Sequence, residues 1–322
     1  MKPYPSSVSV TYPITPAIDR VKCMLFDPFE LGKWFVIGFC AWLAELGRGG
    51  IGGGIHNSFR GGDFRHAFDH ARDFVVSNWA WVLPLGIFVA LVVLTVWVLI
   101  VWLSSRGRFM FLHCVALNRA EVSVPWNKFV RQGNSLFWFR LVVGLAGSIL
   151  LIPLVALTIA TVLKMVSGGG PSLTGVAALA GIVMAMVAAA AAFWIIAKLT
   201  MDFVVAIMFM RNGLCLEGWR ELLGLLSANA GHFILYFLFQ IVMGVVIFAI
   251  IVAVVLVTCC IAGCLMAIPY LGTVLLLPIL AFTRSYSLFY LAQFGPNYDV
   301  FALSIPTSPA QTPPATPDGA GA

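Results

Sequence analysis

Charge is scarce in this chain: Asp, Glu, Lys and Arg make up 10% of its 322 residues, against about 25% in soluble domains. Apolar residues make up 61%, so a water-soluble fold is excluded. No charged stretch is long enough to form a separate soluble catalytic domain. The chain reads as one membrane domain over residues 17–303, with tails at 1–16 and 304–322. The second tail, rich in proline and small residues, is too poor in apolar side chains to offset the entropy of ordering, and both tails are expected to be disordered.

Other absences narrow the function. There is no phosphate-binding loop, nucleophile elbow, dinucleotide fingerprint or HExxH helix, and the glycines from Gly49 to Gly54 do not lead into a helix opening with Lys and Ser or Thr. The seven cysteines are dispersed except for Cys259, Cys260 and Cys264, so they make no disulfide framework. Cys260 and Cys264 share a helical face and suit either a disulfide or soft-metal pair, or a close helix contact through Ala262 and Gly263. The N-terminus lacks the basic, apolar and small-residue regions of a cleavable signal peptide. Neither a cofactor nor a nucleic-acid partner is expected, because the +6 formal charge sits in short connectors rather than on one polar helix face.

What the chain has in abundance is apolar length. A helical span needs about 20 apolar residues, since an unpaired backbone amide in hydrocarbon costs several kcal/mol. Trp79 to Leu103, Leu141 to Leu163 and Val176 to Ala197 carry no charge, and Phe233 to Val257 is interrupted only by Gln240. Gly272 to Phe294, with Arg284, and Phe29 to Leu46, with Lys33 and Glu45, add two further spans. The expected fold is therefore an all-α integral membrane bundle of about six transmembrane helices. Trp79, Trp81 and Trp102 flank the second span, at headgroup level.

With six spans, 14 of the 19 Lys and Arg residues fall on the side of the N-terminus. Basic connectors stay cytoplasmic, which predicts a multi-pass protein of the bacterial inner membrane with both termini in the cytoplasm.

Three segments align without gaps. With Asp19, Trp126 and Trp219 set equivalent, Asp27, Asn134 and Ser227 follow eight residues later, all good N-cap types, each before an outgoing membrane helix. Asp27, Pro28 and Glu30 fit N-cap, N1 and N3 of a capping box. Lys33 and Arg140 recur fourteen residues after the anchor, where the third copy has Phe233. The internal repeat is decayed but readable.

Upstream of each cap lies an amphipathic cytoplasmic connector: Ile18, Val21, Met24 and Leu25 against Arg20 and Lys22; Val124, Trp126, Phe129 and Val130 against Lys128 and Arg131; Trp219, Leu222, Leu223 and Leu226 against Arg220 and Glu221. Such segments lie on the inner leaflet with cations among anionic headgroups, or they pack beneath the bundle as connectors. Arg20, Lys22, Trp126, Lys128, Arg131, Trp219 and Arg220 are the lipid-surface candidates.

The stretches from Asp202 (DFVVAIMFMRNGLCLEGWRELLGLL) and from Tyr270 (YLGTVLLLPILAFTRSYSLFYLAQFGPNYDVF) resemble those of uncharacterised bacterial multi-pass membrane proteins, a domain of unknown function. The repeat plan more distantly resembles the membrane domain that precedes the catalytic barrel of bacterial glycerophosphodiester phosphodiesterases. The barrel is absent here, so the resemblance brings no phosphodiesterase residues with it.

Two clusters carry possible chemistry. In DFRHAFDHARDF, His66 and His70 are four apart, and Asp69 and Asp73 each follow a histidine by three, so one helical face presents imidazoles and carboxylates to a divalent metal. Against this, Arg65 and Asp69 make an ordinary surface pair and Arg72 repels a cation. Lys198 and Asp202 fit either a gating pair or a structural salt bridge at the end of a span.

The leading expectation is a non-catalytic scaffold that organises lipid or holds a membrane-protein partner or a second copy. A transporter or channel for an uncharged or amphiphilic solute is the alternative, and a membrane-bound metalloenzyme a weaker one.

Overall fold

The computed structural model describes residues 8–46, 77, 79–167, 172–258 and 261–304. Among them 88% are helical and none lies in a strand. The helices are α1 (Ile14–Leu25), α2 (Leu31–Glu45), α3 (Trp79–Leu117), α4 (Ser123–Lys128), α5 (Val130–Ser167), α6 (Leu173–Leu199), a π turn (Thr200–Val204), α7 (Val205–Arg211), α8 (Cys215–Ala228), α9 (Ala230–Val257), α10 (Ile261–Ala267), α11 (Pro269–Leu275) and α12 (Leu277–Ala292), with two 3₁₀ turns after them.

Four of these, not six, are long and apolar enough to cross a membrane: Trp79–Leu117, Val130–Met165, Leu173–Arg211 and Ala230–Val257. The expected span from Phe29 to Leu46 is instead α2, whose 15 residues rise only about 22 Å, short of a hydrocarbon core of about 30 Å. The expected span from Gly272 to Phe294 is broken at Leu276 into α11 and α12. Pro278 in the first turn of α12 has no N–H to continue α11, so a new helix starts there. Pro84 and Pro153, by contrast, sit inside α3 and α5 without ending them.

The helices pack at one end and stand nearly bare along the rest. The core joins α1, α2, the C-terminal half of α3, the π turn, α7, the start of α9 and the end of α12, through residues such as Met24, Ile37, Phe109, Phe203, Tyr236 and Tyr290. The most apolar stretches of the four long helices are at most 6% buried. Gly107 is needed where α2 crosses α3: a Cβ there would lie 2.6 Å from the Leu43 backbone carbonyl carbon. Small residues at such crossings let two backbones approach.

The expected helix starts are shifted. Glu30 rather than Asp27 precedes α2, with no side-chain cap. Asn134 lies inside α5, and Ser227 inside α8, while Asn229 precedes α9. Two of the three capping side chains are drawn to other partners: Asn134 accepts from Trp102 and Ser227 donates to the Gly224 carbonyl. Order also begins before the expected boundary at residue 17, since Ser9 N–H donates to Gln293 Oε1 at 2.8 Å and Gln293 Nε2 returns a bond to Ser9 O at 2.9 Å.

Candidate functional site

The charged residues that follow the apolar runs of α3 and α5 pack against neighbouring helices. Residues 79–105 of α3 and 141–163 of α5 are uncharged, and at their ends Arg140 donates to Ser104 Oγ at 3.3 Å and Ser105 Oγ at 3.0 Å. Arg108 Nε and Ser104 Oγ both donate to the Ala44 carbonyl, at 3.2 and 3.0 Å. That carbonyl belongs to the last turn of α2 and has no intrahelical donor, so the two side chains satisfy it.

The densest polar cluster is built on the π turn. A π turn inserts one residue into a helix and is frequent at functional sites; here it turns Asp202 inward, where the residue is only 9% exposed. Lys198 Nζ approaches Asp202 Oδ2 at 3.0 Å, and the Tyr236 hydroxyl donates to the same oxygen at 2.9 Å. Gln240, one turn further along α9, donates to the Tyr236 hydroxyl at 2.9 Å. Arg284 of α12 donates to the Met201 carbonyl. The pair read from spacing is thus formed, but inside a continuous apolar-to-core helix and with a partner from α9, rather than standing alone at a helix end. As chemistry the cluster is a hydrogen-bonded chain, carboxamide to phenol to carboxylate to ammonium, with its donors and acceptors largely matched.

The seven lipid-surface candidates separate into two groups. Arg20 Nε and Nη2 donate to the Val115 carbonyl at 3.0 and 2.9 Å and Nη2 to Ala116 at 2.6 Å, so its guanidinium caps α3 beneath the Phe301 ring. Burial lowers its pKa from the ordinary arginine value. Trp126 and Trp219 are half-buried, and the Trp219 indole N–H is enclosed without a partner. Lys22, Lys128, Arg131 and Arg220 are exposed. The apolar sides of these connectors supply Val21, Met24, Leu25, Phe129 and Leu222 to the core.

His66, Asp69, His70 and Asp73 lie outside the described residues, as do Cys259 and Cys260. Among the described residues no group of three or more His, Cys, Asp or Glu side chains is placed to hold a metal ion. Spacing alone could not reveal the surroundings of the Lys198–Asp202 pair, because Tyr236, Gln240 and Arg284 come from helices 34 to 82 residues away in sequence. One signal was available: Gln240 interrupts an otherwise apolar run, and Tyr236 lies four residues before it on the same face.

A helical protein with four apolar helices of membrane-crossing length defines the class as a membrane protein. The chain belongs to a family of unknown function, DUF7544, whose sequence model matches residues 9–281. No curated protein and no solved structure matches it.

Proposed function

We propose that this protein is a non-catalytic, multi-pass scaffold of a bacterial inner membrane that organises anionic lipid or holds a membrane partner, with both termini in the cytoplasm. One observation carries the reading: the long helices meet in a packed, hydrogen-bonded base, while their most apolar stretches are at most 6% buried. Arms of that kind offer their surface to acyl chains or to other membrane helices. Exposed Lys22, Lys128, Arg131 and Arg220 suit the negative potential of the inner leaflet, each contributing about 1 kcal/mol near the surface. The decayed repeat and the distant likeness to a phosphodiesterase membrane domain agree with a module that serves a partner rather than performing hydrolysis itself.

A second reading, passage of an uncharged or amphiphilic solute, is favoured by the π turn at Asp202, since ionisable side chains at membrane depth often mark pathways. The two readings separate in proteoliposomes. Photo-crosslinking groups placed at Ile149 and Phe248, both exposed on the arms, are expected to capture lipid or a discrete membrane-protein band. Protein-dependent swelling in glycerol or another neutral solute, abolished by Asp202→Asn, would replace the scaffold reading with transport.

A further inference from the structure

Arg106 is the first charged residue after 27 uncharged positions of α3, and its surroundings differ from those of Arg108 and Arg140. Its guanidinium carbon lies 4.4 Å from the Trp102 ring centre and 4.9 Å from that of Trp126. The two indoles stand 6.1 Å apart at 89°, making an aromatic corner. Asn134 Oδ1 fixes the corner by accepting from Trp102 Nε1 at 3.2 Å and, at 3.4 Å, from Arg106 Nη2. The Arg106 stem lies so close over Gly133 that a Cβ there would sit 2.9 Å from its Cγ.

What the corner lacks is an anion. Among the described residues no carboxylate pairs with Arg106, its Nε–H is enclosed without an acceptor, and the carboxylate of Glu121 lies 3.9 Å from Arg119 instead. Lys128 and Arg131, on either side of the α4–α5 junction, are exposed and add two further cations. A guanidinium held in place by aromatic rings keeps its remaining in-plane donors pre-oriented for a phosphate, which it binds in bidentate fashion. From Asn134 an apolar ridge runs up α5 at helical spacing through Trp138, Val142 and Leu145, which are 63%, 61% and 60% exposed. Free phosphate has no use for such a ridge, whereas a lipid does.

We propose that Arg106, Trp102, Trp126 and Asn134 form a headgroup site for a phosphate-bearing anionic lipid, with an acyl chain lying along Trp138, Val142 and Leu145. The site deepens the lipid-organising reading above, because it adds one defined position to a general surface of cations. The charge supplies the affinity, the planar fork the preference for phosphate, and the ridge the preference for a lipid over a soluble anion.

The full chain, purified from vesicles of phosphatidylglycerol and phosphatidylcholine, is examined by native mass spectrometry for retained lipid. Arg106→Gln should lower retention of one phosphatidylglycerol by at least about tenfold, as loss of a charge-assisted hydrogen-bonding group implies, with phosphatidylcholine unchanged. Arg106→Lys, which keeps the charge and loses the fork, should fall between. A diazirine-bearing phosphatidylglycerol should label Trp138 and Val142 in the unaltered protein, a readout independent of whether the variants fold. Unchanged retention in Arg106→Gln, equal loss of both lipids, absence of labelling at the ridge, or displacement of the lipid by millimolar inorganic phosphate alone would each overturn the site. Lys22→Gln with Arg220→Gln tests the general cation surface separately. If only that pair reduces anionic lipid, the Arg106 site falls and the surface stands; if only Arg106→Gln does, the reverse holds.

Discussion

Tyr236 of α9 donates its hydroxyl hydrogen to Asp202 of the π turn at 2.9 Å, across 34 residues of sequence, in a part of the core where the tyrosine is fully buried. Asp202 also holds Lys198 at 3.0 Å, so one carboxylate oxygen joins two groups, from α6 and α9. Tyr236→Phe leaves both Asp202 and Gln240 short of a partner, which costs about 1–3 kcal/mol. Breaking the ion pair, by Lys198→Met or by Asp202→Leu, which also removes the acceptor of Tyr236, should cost about 3–5 kcal/mol because a buried charge is left uncompensated. The double variant should melt above the worse single variant in detergent. A double variant less stable than both would show that an uncompensated charge is not the source of the loss.

Gly107 makes the sharpest packing prediction. Its missing Cβ leaves room for the Leu43 and Ala44 backbone, with would-be contacts at 2.6 and 2.7 Å. Gly107→Ala should push α2 off α3 and cost about 1–3 kcal/mol. At Gly181 nothing lies within 4 Å of an added Cβ, so Gly181→Ala should be neutral or stabilise by up to about 1 kcal/mol through helix propensity. Thermal melts of the two variants side by side check the contrast.

Cys215 begins α8 and is buried, which pushes its thiol up to about 12 from the ordinary 9.0. The folded state therefore binds this proton more tightly than the unfolded state. Its contribution to stability is constant below the unfolded value and declines as pH rises from about 9 towards about 12. At pH 8 the group is a neutral, enclosed thiol, and only a thiolate alkylates readily. Iodoacetamide should modify exposed Cys23 while sparing Cys215, as peptide mass spectrometry would reveal. Rapid labelling of Cys215 in the folded protein would contradict its burial.

Orientation is checked by reporter fusions. A tag after Ala322 and one before Met1 should both report a cytoplasmic location, on the side of the base where α1 packs against α12. A periplasmic signal from the C-terminal fusion would invert the proposed topology.

Much of this architecture was legible from composition. The four long helices follow from apolar length alone, since hydrocarbon leaves the backbone no alternative to internal hydrogen bonding. The two misjudged spans failed for local reasons that hydropathy does not register. Leu276 carries the break that Pro278 imposes one turn early in α12, and α2 stops at Glu45, where Ser104 and Arg108 satisfy its last turn. The capping pattern at Asp27, Asn134 and Ser227 marked the neighbourhood of each break but not the residue. Within the candidate sites, the Lys198–Asp202 contact is a four-residue spacing and so was readable. The corner around Arg106 was not, because it needs Trp102, Trp126 and Asn134 from three helices.

The bonds between Ser9 and Gln293, and from the Tyr286 hydroxyl to the Val10 carbonyl at 2.7 Å, bear on the order of biosynthesis. The first helix packs against the last, so the α1–α12 contact waits through the insertion of all four apolar arms, although Arg20 can reach the end of α3 earlier. Until then the apolar side of α1 lacks that cover. A chain stalled before Leu277 should accordingly expose α1 to protease, and release of the stalled chain through Phe294 should close it.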